Sequence, residues 1–162
     1  MTLLNAPTYD ERGERRKFGT LVGLGVLLGL AVLLGVGGFL LGHGWFFSNL
    51  PAEHRVNSFF TALEAKDYNK AYGIWMNDPA WQQHPSKYDY TLQRFTDDWT
   101  TASNVGPITS HHVDISKTDG TGAFGTGIIV ATRVNGDHKL FMWYERKDGT
   151  LTYPAPHELE YN

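Results

Sequence analysis

The sequence predicts an α+β protein with one N-terminal transmembrane helix, then three helices, then an antiparallel sheet. Three observations predict it. Residues 18–42 carry no charge. Between residues 51 and 99 apolar side chains recur at helical spacing, and from Ile108 the period drops to two. Helices grouped ahead of strands, and not alternating with them, give an α+β layout.

The first element is the apolar run. Residues 18–41 number 24, a helix of about 36 Å, against a hydrocarbon core of about 30 Å. A cleaved signal has a shorter apolar core and a small-x-small cleavage site after it. Here Trp45, Phe46 and Phe47 follow instead, aromatics of the kind that settle at a membrane interface. A buried soluble helix is a poor fit, because the run is apolar all round. The run therefore reads as a retained anchor with the lipid bilayer as its first partner. Arg12, Arg15, Arg16 and Lys17 precede it, and the next basic side chain is Arg55. Basic flanks stay in the cytoplasm, which places the remaining chain outside an inner (cell) membrane. The organisation expected is a cytoplasmic tail at 1–17, a span at 18–42, a linker at 43–50, a domain at 51–154 and a C-terminal tail at 155–162. The pairs Gly19/Gly23, Gly25/Gly29 and Gly38/Gly42 have helix-pairing spacing but point in different directions, so they build no single seam.

Asn49-Leu50-Pro51 reads as the start of the next helix, with Val56, Phe59, Phe60 and Leu63 as its apolar stripe. Asp67 caps another, with Tyr68, Ala71, Tyr72 and Trp75 on one face, stopped by Asn77-Asp78-Pro79. A third carries Tyr88, Leu92, Phe95 and Trp99. Thr109, His111, Val113 and Ile115 then share one strand face, and Ser110, His112 and Asp114 the other. After a glycine-rich turn come the strands "GTGIIVATRV" and "HKLFMWYE", joined at "NGD", and a short "TLTY" strand. The two long strands are apolar on both faces, with Ile129, Ala131, Phe141 and Trp143 opposite the helix side. A one-layer helical cover leaves that second face to the C-terminal tail or to a second subunit. Phe141 and Trp143 are the candidate interface residues of a homodimer or a membrane-complex partner.

"VNSFFTALEAKDYNKAYGIW", "TLQRFTDDW" and "GPITSHHVDI" ahead of a long-stranded meander resemble the nuclear-transport-factor-like superfamily, and more narrowly its membrane-anchored bacterial members. The resemblance spans about residues 51–153. It implies a curved sheet wrapped around helices as a cone, with a pocket at the wide end and often a dimer through the sheet. Its members include isomerases, dehydratases and non-enzymatic binding modules, so the fold does not supply the function. Enzymatic members place an Asp/His or Asp/Tyr pair in the pocket, and no motif here matches one.

Several classes are disfavoured by composition. There is no cysteine, hence no disulfide and no thiolate chemistry. Beyond residue 42 ten basic face fourteen acidic side chains, which removes the electrostatic footing for nucleic acid. Ser110, His112 and Asp114 stand two apart on one strand and do not converge as a triad. His111 and His112 point to opposite faces, so no metal is expected there. Adjacent Asp97 and Asp98 diverge on a helix and read as a solvated face. The glycines of "DGTGAFGTG" fit turns and not a phosphate loop, and no cofactor motif is present. The candidate ligand-binding set is Tyr72, Trp75, Phe95 and Trp99, with His111 turned the same way. Two functions compete: a non-catalytic binding or assembly module of the envelope, and a small-molecule-binding or enzymatic cone with an aromatic pocket.

If the run is an anchor, the mature chain keeps Met1 to Gly42. Intact-mass measurement of membrane-extracted protein checks this, and a species beginning near Gly44 contradicts it.

Overall fold

Nothing between residues 18 and 41 competes with a helix, and α1 runs Glu11–Leu40. The computed structural model describes residues 11–41, 46–119 and 126–161, the side chains of 46 and 47 excepted. At 30 residues α1 is about 45 Å long, long and apolar enough to cross a membrane. It begins inside the expected tail, where Glu11 and Glu14 suit the positive end of a helix. Gly19, Gly23, Gly25 and Gly29 would meet nothing with an added Cβ. Gly35 and Gly38 are buried on the helix that meets α2. Gly42, Trp45 and the side chains of Phe46 and Phe47 lie outside the described residues.

α2 spans Phe46–Glu64, α3 Tyr68–Trp75 and α4 Leu92–Asp98. Strands β1 (His111–Asp119), β2 (Gly127–Val134), β3 (His138–Glu145) and β4 (Leu151–Thr152) form an antiparallel meander in sequential order. The α+β class holds. The helices cover one face, where Val56, Phe59, Phe60, Ile128, Val130 and Met142 are fully buried.

Two helix boundaries differ from expectation. α2 starts before Pro51, which lies inside it. The extra turn carries the fully buried Asn49, whose amide donates to Ser116 Oγ while its Oδ1 accepts from Ser48 and Thr118. α4 starts after Tyr88. Asp78 accepts from the amide of Ala80, the Tyr88 hydroxyl and the His84 ring, with Lys87 3.7 Å away, and these bonds hold the segment before Thr91 as a loop. The Tyr88 and His84 bonds drive the Asp78 carboxyl down to about 2. Thr91 then caps α4 through the amide of Arg94, as Asp67 caps α3 through Lys70.

β1 corrects a further expectation. Its register shifts between Val113 and Ile115, leaving Asp114 as an extra residue. After such a bulge the alternation inverts. Ile115 therefore leaves the face of His111 and Val113 and joins the outer cluster of Ile129, Ala131 and Phe141. Ser116 and Thr118 turn inward to Asn49 and Glu53. The β2–β3 turn runs through Asn135 and Gly136, both at positive φ. Asn135 also ties down the approach to β1, donating to the carbonyls of Val105 and Pro107 and accepting from Thr109. The glycine-rich turn expected before β2 falls on residues 120–125, outside the described residues.

Of the two covers left open for the outer sheet face, the C-terminal tail takes the part over Phe141, whereas Trp143 stays half-buried. Leu159 is buried in the outer cluster with Phe141, and the Tyr161 ring meets Phe141 edge-on at 6.3 Å. Trp143 lies over Gly127 so closely that a Cβ there would fall 2.1 Å from its ring. Tyr161 is clamped three ways. Its hydroxyl donates to Asp114, its carbonyl accepts from Lys139, and the same ammonium stands 4.0 Å from its ring centroid. Arg133 forks onto Asp114, donating from Nε and from one terminal nitrogen.

Burial alone would raise the Asp114 carboxyl, but the bonds from Arg133 and Tyr161 outweigh it and hold it below the usual range. Burial first, then the bond to Asp114, pushes the Tyr161 phenol up. The two groups act at opposite ends of the pH scale. A lowered carboxyl contributes fully above its unfolded value of about 3.9 and loses that contribution as pH falls through the folded value. A raised phenol contributes fully below about 10 and loses its contribution as pH rises through the folded value. Tyr161→Phe is expected to cost about 1–2 kcal/mol in urea denaturation at pH 7, with Arg133 still holding Asp114, and to remove the Tyr161 share of the alkaline loss, leaving that of Tyr90. Asp114→Asn makes the acid limb shallower, with the part due to Asp78 remaining. Unchanged profiles in both variants would show that the tail is not held by this clamp.

Candidate functional site

The helical stripes bring four of the five candidate residues together around Phe59. Its ring centroid lies 5.4 Å from that of Trp75, 6.1 Å from Phe95 and 5.1 Å from Trp99. Tyr72 meets Phe95 at 5.4 Å, and its hydroxyl donates to the carbonyl of Tyr90. Tyr72 and Phe95 are wholly consumed by this packing and belong to the core. Trp75 and Trp99 also line a cavity of about 250 Å³, together with Tyr90, Asp98, Tyr153 and the 102–105 segment. Each wall has a local cause. Trp75 ends α3, Asp98 and Trp99 end α4, and Tyr153 follows β4. Tyr90 is set by the loop that Asp78 organises.

The rings stand at angles around the space. Trp75 and Trp99 are 5.8 Å apart and inclined at 70°, Trp75 and Tyr90 6.5 Å at 45°, and Trp99 and Tyr153 5.8 Å at 50°. The carboxylate among them is Asp98, whose Oδ2 accepts from the Tyr90 hydroxyl at 2.7 Å, and Ser103 and Asn104 add polar side chains to the lining. Burial, then that bond, pushes the Tyr90 phenol well above its ordinary value, so it stays a neutral donor.

His111 lies elsewhere. Its ring stacks on Phe60 at 5.6 Å, with Nδ1 2.6 Å from Glu64 Oε1 and Nε2 3.1 Å from the Asn57 amide. A carboxylate only accepts, so the Nδ1 proton is fixed on that side. The side chain is 8% exposed and does not line the Trp75 cavity. It is a bolt between α2 and β1, and the expectation that it shares the aromatic pocket is corrected. The strand face it shares with Val113 leads to α2, whereas the cavity opens beyond the ends of α3 and α4.

The triad arrangement does not form. His112 is 78% exposed and stands 3.8 Å from Asp114, which is committed to Arg133 and Tyr161. Among the described residues no cluster of three metal-ligating side chains occurs. A larger groove of about 890 Å³ lies along α2 and α3 near His54, Lys70 and Tyr144. Much of its polar lining already serves the fold. Arg55 donates to the Ile74 carbonyl, Asp67 caps α3 and the Trp81 indole donates to the Asn69 carbonyl.

Sequence spacing missed Tyr90, Asp98 and Tyr153 as cavity residues. Asp98 is exposed, as its reading as a solvated face expects, and it borders the cavity through its bond with Tyr90. A tyrosine before the Thr91 cap and one after the last strand were the only signals. Comparison with family models, with curated proteins and with solved structures finds no match to this chain.

His111→Ala is expected to lower stability by about 1–3 kcal/mol in denaturant unfolding, because Glu64 loses its buried partner. The indole signals of Trp75 and Trp99 should remain in place. A stability loss below a few tenths of a kcal/mol would remove the structural role.

Proposed function

We propose that this protein is a membrane-anchored binding module that receives a small ligand beside Trp75 and Trp99 and does not transform it. α1 serves as a retained anchor, with the basic cluster at Arg12, Arg15, Arg16 and Lys17 on the cytoplasmic side and the domain outside. The observation that carries the reading is the Trp75–Trp99 cavity, concave and aromatic-walled, with one carboxylate and one phenol converging on it. The helix-then-meander order supports the nuclear-transport-factor-like reading, in which ligands enter between the helices and the sheet.

Two arguments favour binding over the alternatives. Outside the cavity, residues that could abstract or donate a proton are held by partners of their own: His111 by Glu64, Asp114 by Arg133 and Tyr161, and Asp78 by His84 and Tyr88. Inside it, the Tyr90 hydroxyl is spent on Asp98, which leaves that carboxylate as the one group a catalytic reading would have to use. Assembly through the sheet would need Phe141 uncovered, and the tail occupies that place.

The test is a fragment screen against the full chain in dodecyl maltoside micelles, read by the indole N–H signals of its five tryptophans. Fragments with small apolar or charged head groups should shift Trp75 and Trp99 saturably, with Trp81 and Trp143 unmoved. Trp75→Leu should abolish the response in a chain that still unfolds cooperatively. A screen that moves no tryptophan, or only Trp81, sinks the reading.

A further inference from the structure

The lining of the Trp75 cavity has a charge imbalance. Asp98 is the only ionisable group of its sign there, and no lysine or arginine belongs to the lining. Asp98 Oδ2 takes the Tyr90 hydroxyl, whereas Oδ1 has no partner among the described residues. Arg94 stands over the Tyr90 ring, 5.9 Å from its centroid, and among the described residues no ion pair joins it to Asp98. Four aromatic rings surround the same space, and the face of an aromatic ring is the negative end of its quadrupole.

From this arrangement we propose that the cavity is an aromatic cage for a methylated ammonium group, built from Trp75, Tyr90, Trp99 and Tyr153 and closed electrostatically by Asp98. The proposal rests on the binding reading above and names the ligand class of that same site. Ring faces attract a cation most strongly where water is excluded. Trp99 is buried at the base, Trp75 and Tyr90 are half-buried, and the cage opens to solvent on the side of Tyr153 and Asp98. Size fits the same class. The cavity is about 250 Å³, below the roughly 300 Å³ at which pockets for drug-sized ligands begin. It accepts a compact head group and leaves any longer substituent outside.

Methylation follows from hydrogen-bond accounting. A primary ammonium brings three N–H donors and loses water at each on entry. The rings supply π faces; the polar atoms beside them are Asp98 Oδ1 and the side chains of Ser103 and Asn104, of which Ser103 Oγ already accepts from the Val105 amide. A trimethylated nitrogen has no N–H to satisfy and spreads its charge over methyl groups that contact ring faces. Such a group occurs on free choline-like amines and on phosphocholine lipid heads, and the chemistry recognised is the same in both.

The full chain in dodecyl maltoside micelles is titrated with choline and, separately, with 3,3-dimethylbutanol, its neutral isostere, at constant ionic strength. Choline should shift the Trp75 and Trp99 indole signals saturably and bind at least about tenfold tighter than the isostere. Asp98→Asn should weaken choline several-fold and leave the isostere unchanged, and Trp75→Leu should remove both titrations. Nanodiscs of phosphatidylcholine and of phosphatidylglycerol distinguish the source. The choline-type shift arising in phosphatidylcholine alone assigns a lipid head. A shift arising only on adding free choline assigns a soluble amine. Equal affinity for choline and isostere overturns the cage while the binding reading stands. A choline titration indifferent to Trp75→Leu overturns the cage by placing the site elsewhere. Silence of Trp75 and Trp99 toward choline, isostere and the fragment panel alike overturns both.

Discussion

The Phe59 ring is the contact on which the rest of the domain is arranged. It projects from the middle of α2 and touches Phe60, Trp75, Phe95 and Trp99 at centroid separations of 5.1–6.1 Å. One side chain thus sets the mutual placement of three helices. Burial of a phenylalanine is worth about 3–5 kcal/mol by truncation, against about 5–15 for a whole domain. The two tryptophans of the cavity are backed by this ring. Their rings are therefore held in place, which in the binding reading proposed above reduces the ordering cost.

The second organising constraint is one residue long. The extra residue at Asp114 inverts the alternation of β1, so one strand serves two different surfaces. Before the bulge, His111 and Val113 face α2. After it, Ile115 faces outward, and Ser116 and Thr118 bond the start of α2 through Asn49. Asp114 itself, its side chain 5% exposed, becomes the acceptor for Arg133 and Tyr161. The bulge therefore couples two events far apart in sequence, the docking of the segment after α1 and the docking of the C-terminal tail. The tail covers the Phe141 part of the second sheet face, and Ile115 and Trp143 stay half-buried at its edge.

What the sequence determined alone was whatever depends on neighbours along the chain. The apolar run became a helix, the stripe Val56, Phe59, Phe60 and Leu63 became the buried face of α2, and Asp67 capped α3. Alternation placed Ile128, Val130 and Met142 inward and Ile129, Ala131 and Phe141 outward. Helical period and strand period are local properties, so pattern suffices for them. Tertiary structure decided the rest. The first turn of α2 exists ahead of Pro51 with Asn49 bonded across to β1, a partner 67 residues away. Tyr88 left its helix for Asp78, and Ile115 left its expected face because of an unpaired residue that no periodicity marks. Asp98 became a cavity residue only when Tyr90 and Tyr153 were brought beside it, from a loop and from the segment after β4. Those contacts depend on loop closure and on which polar groups find partners when buried, and residues distant in sequence settle both.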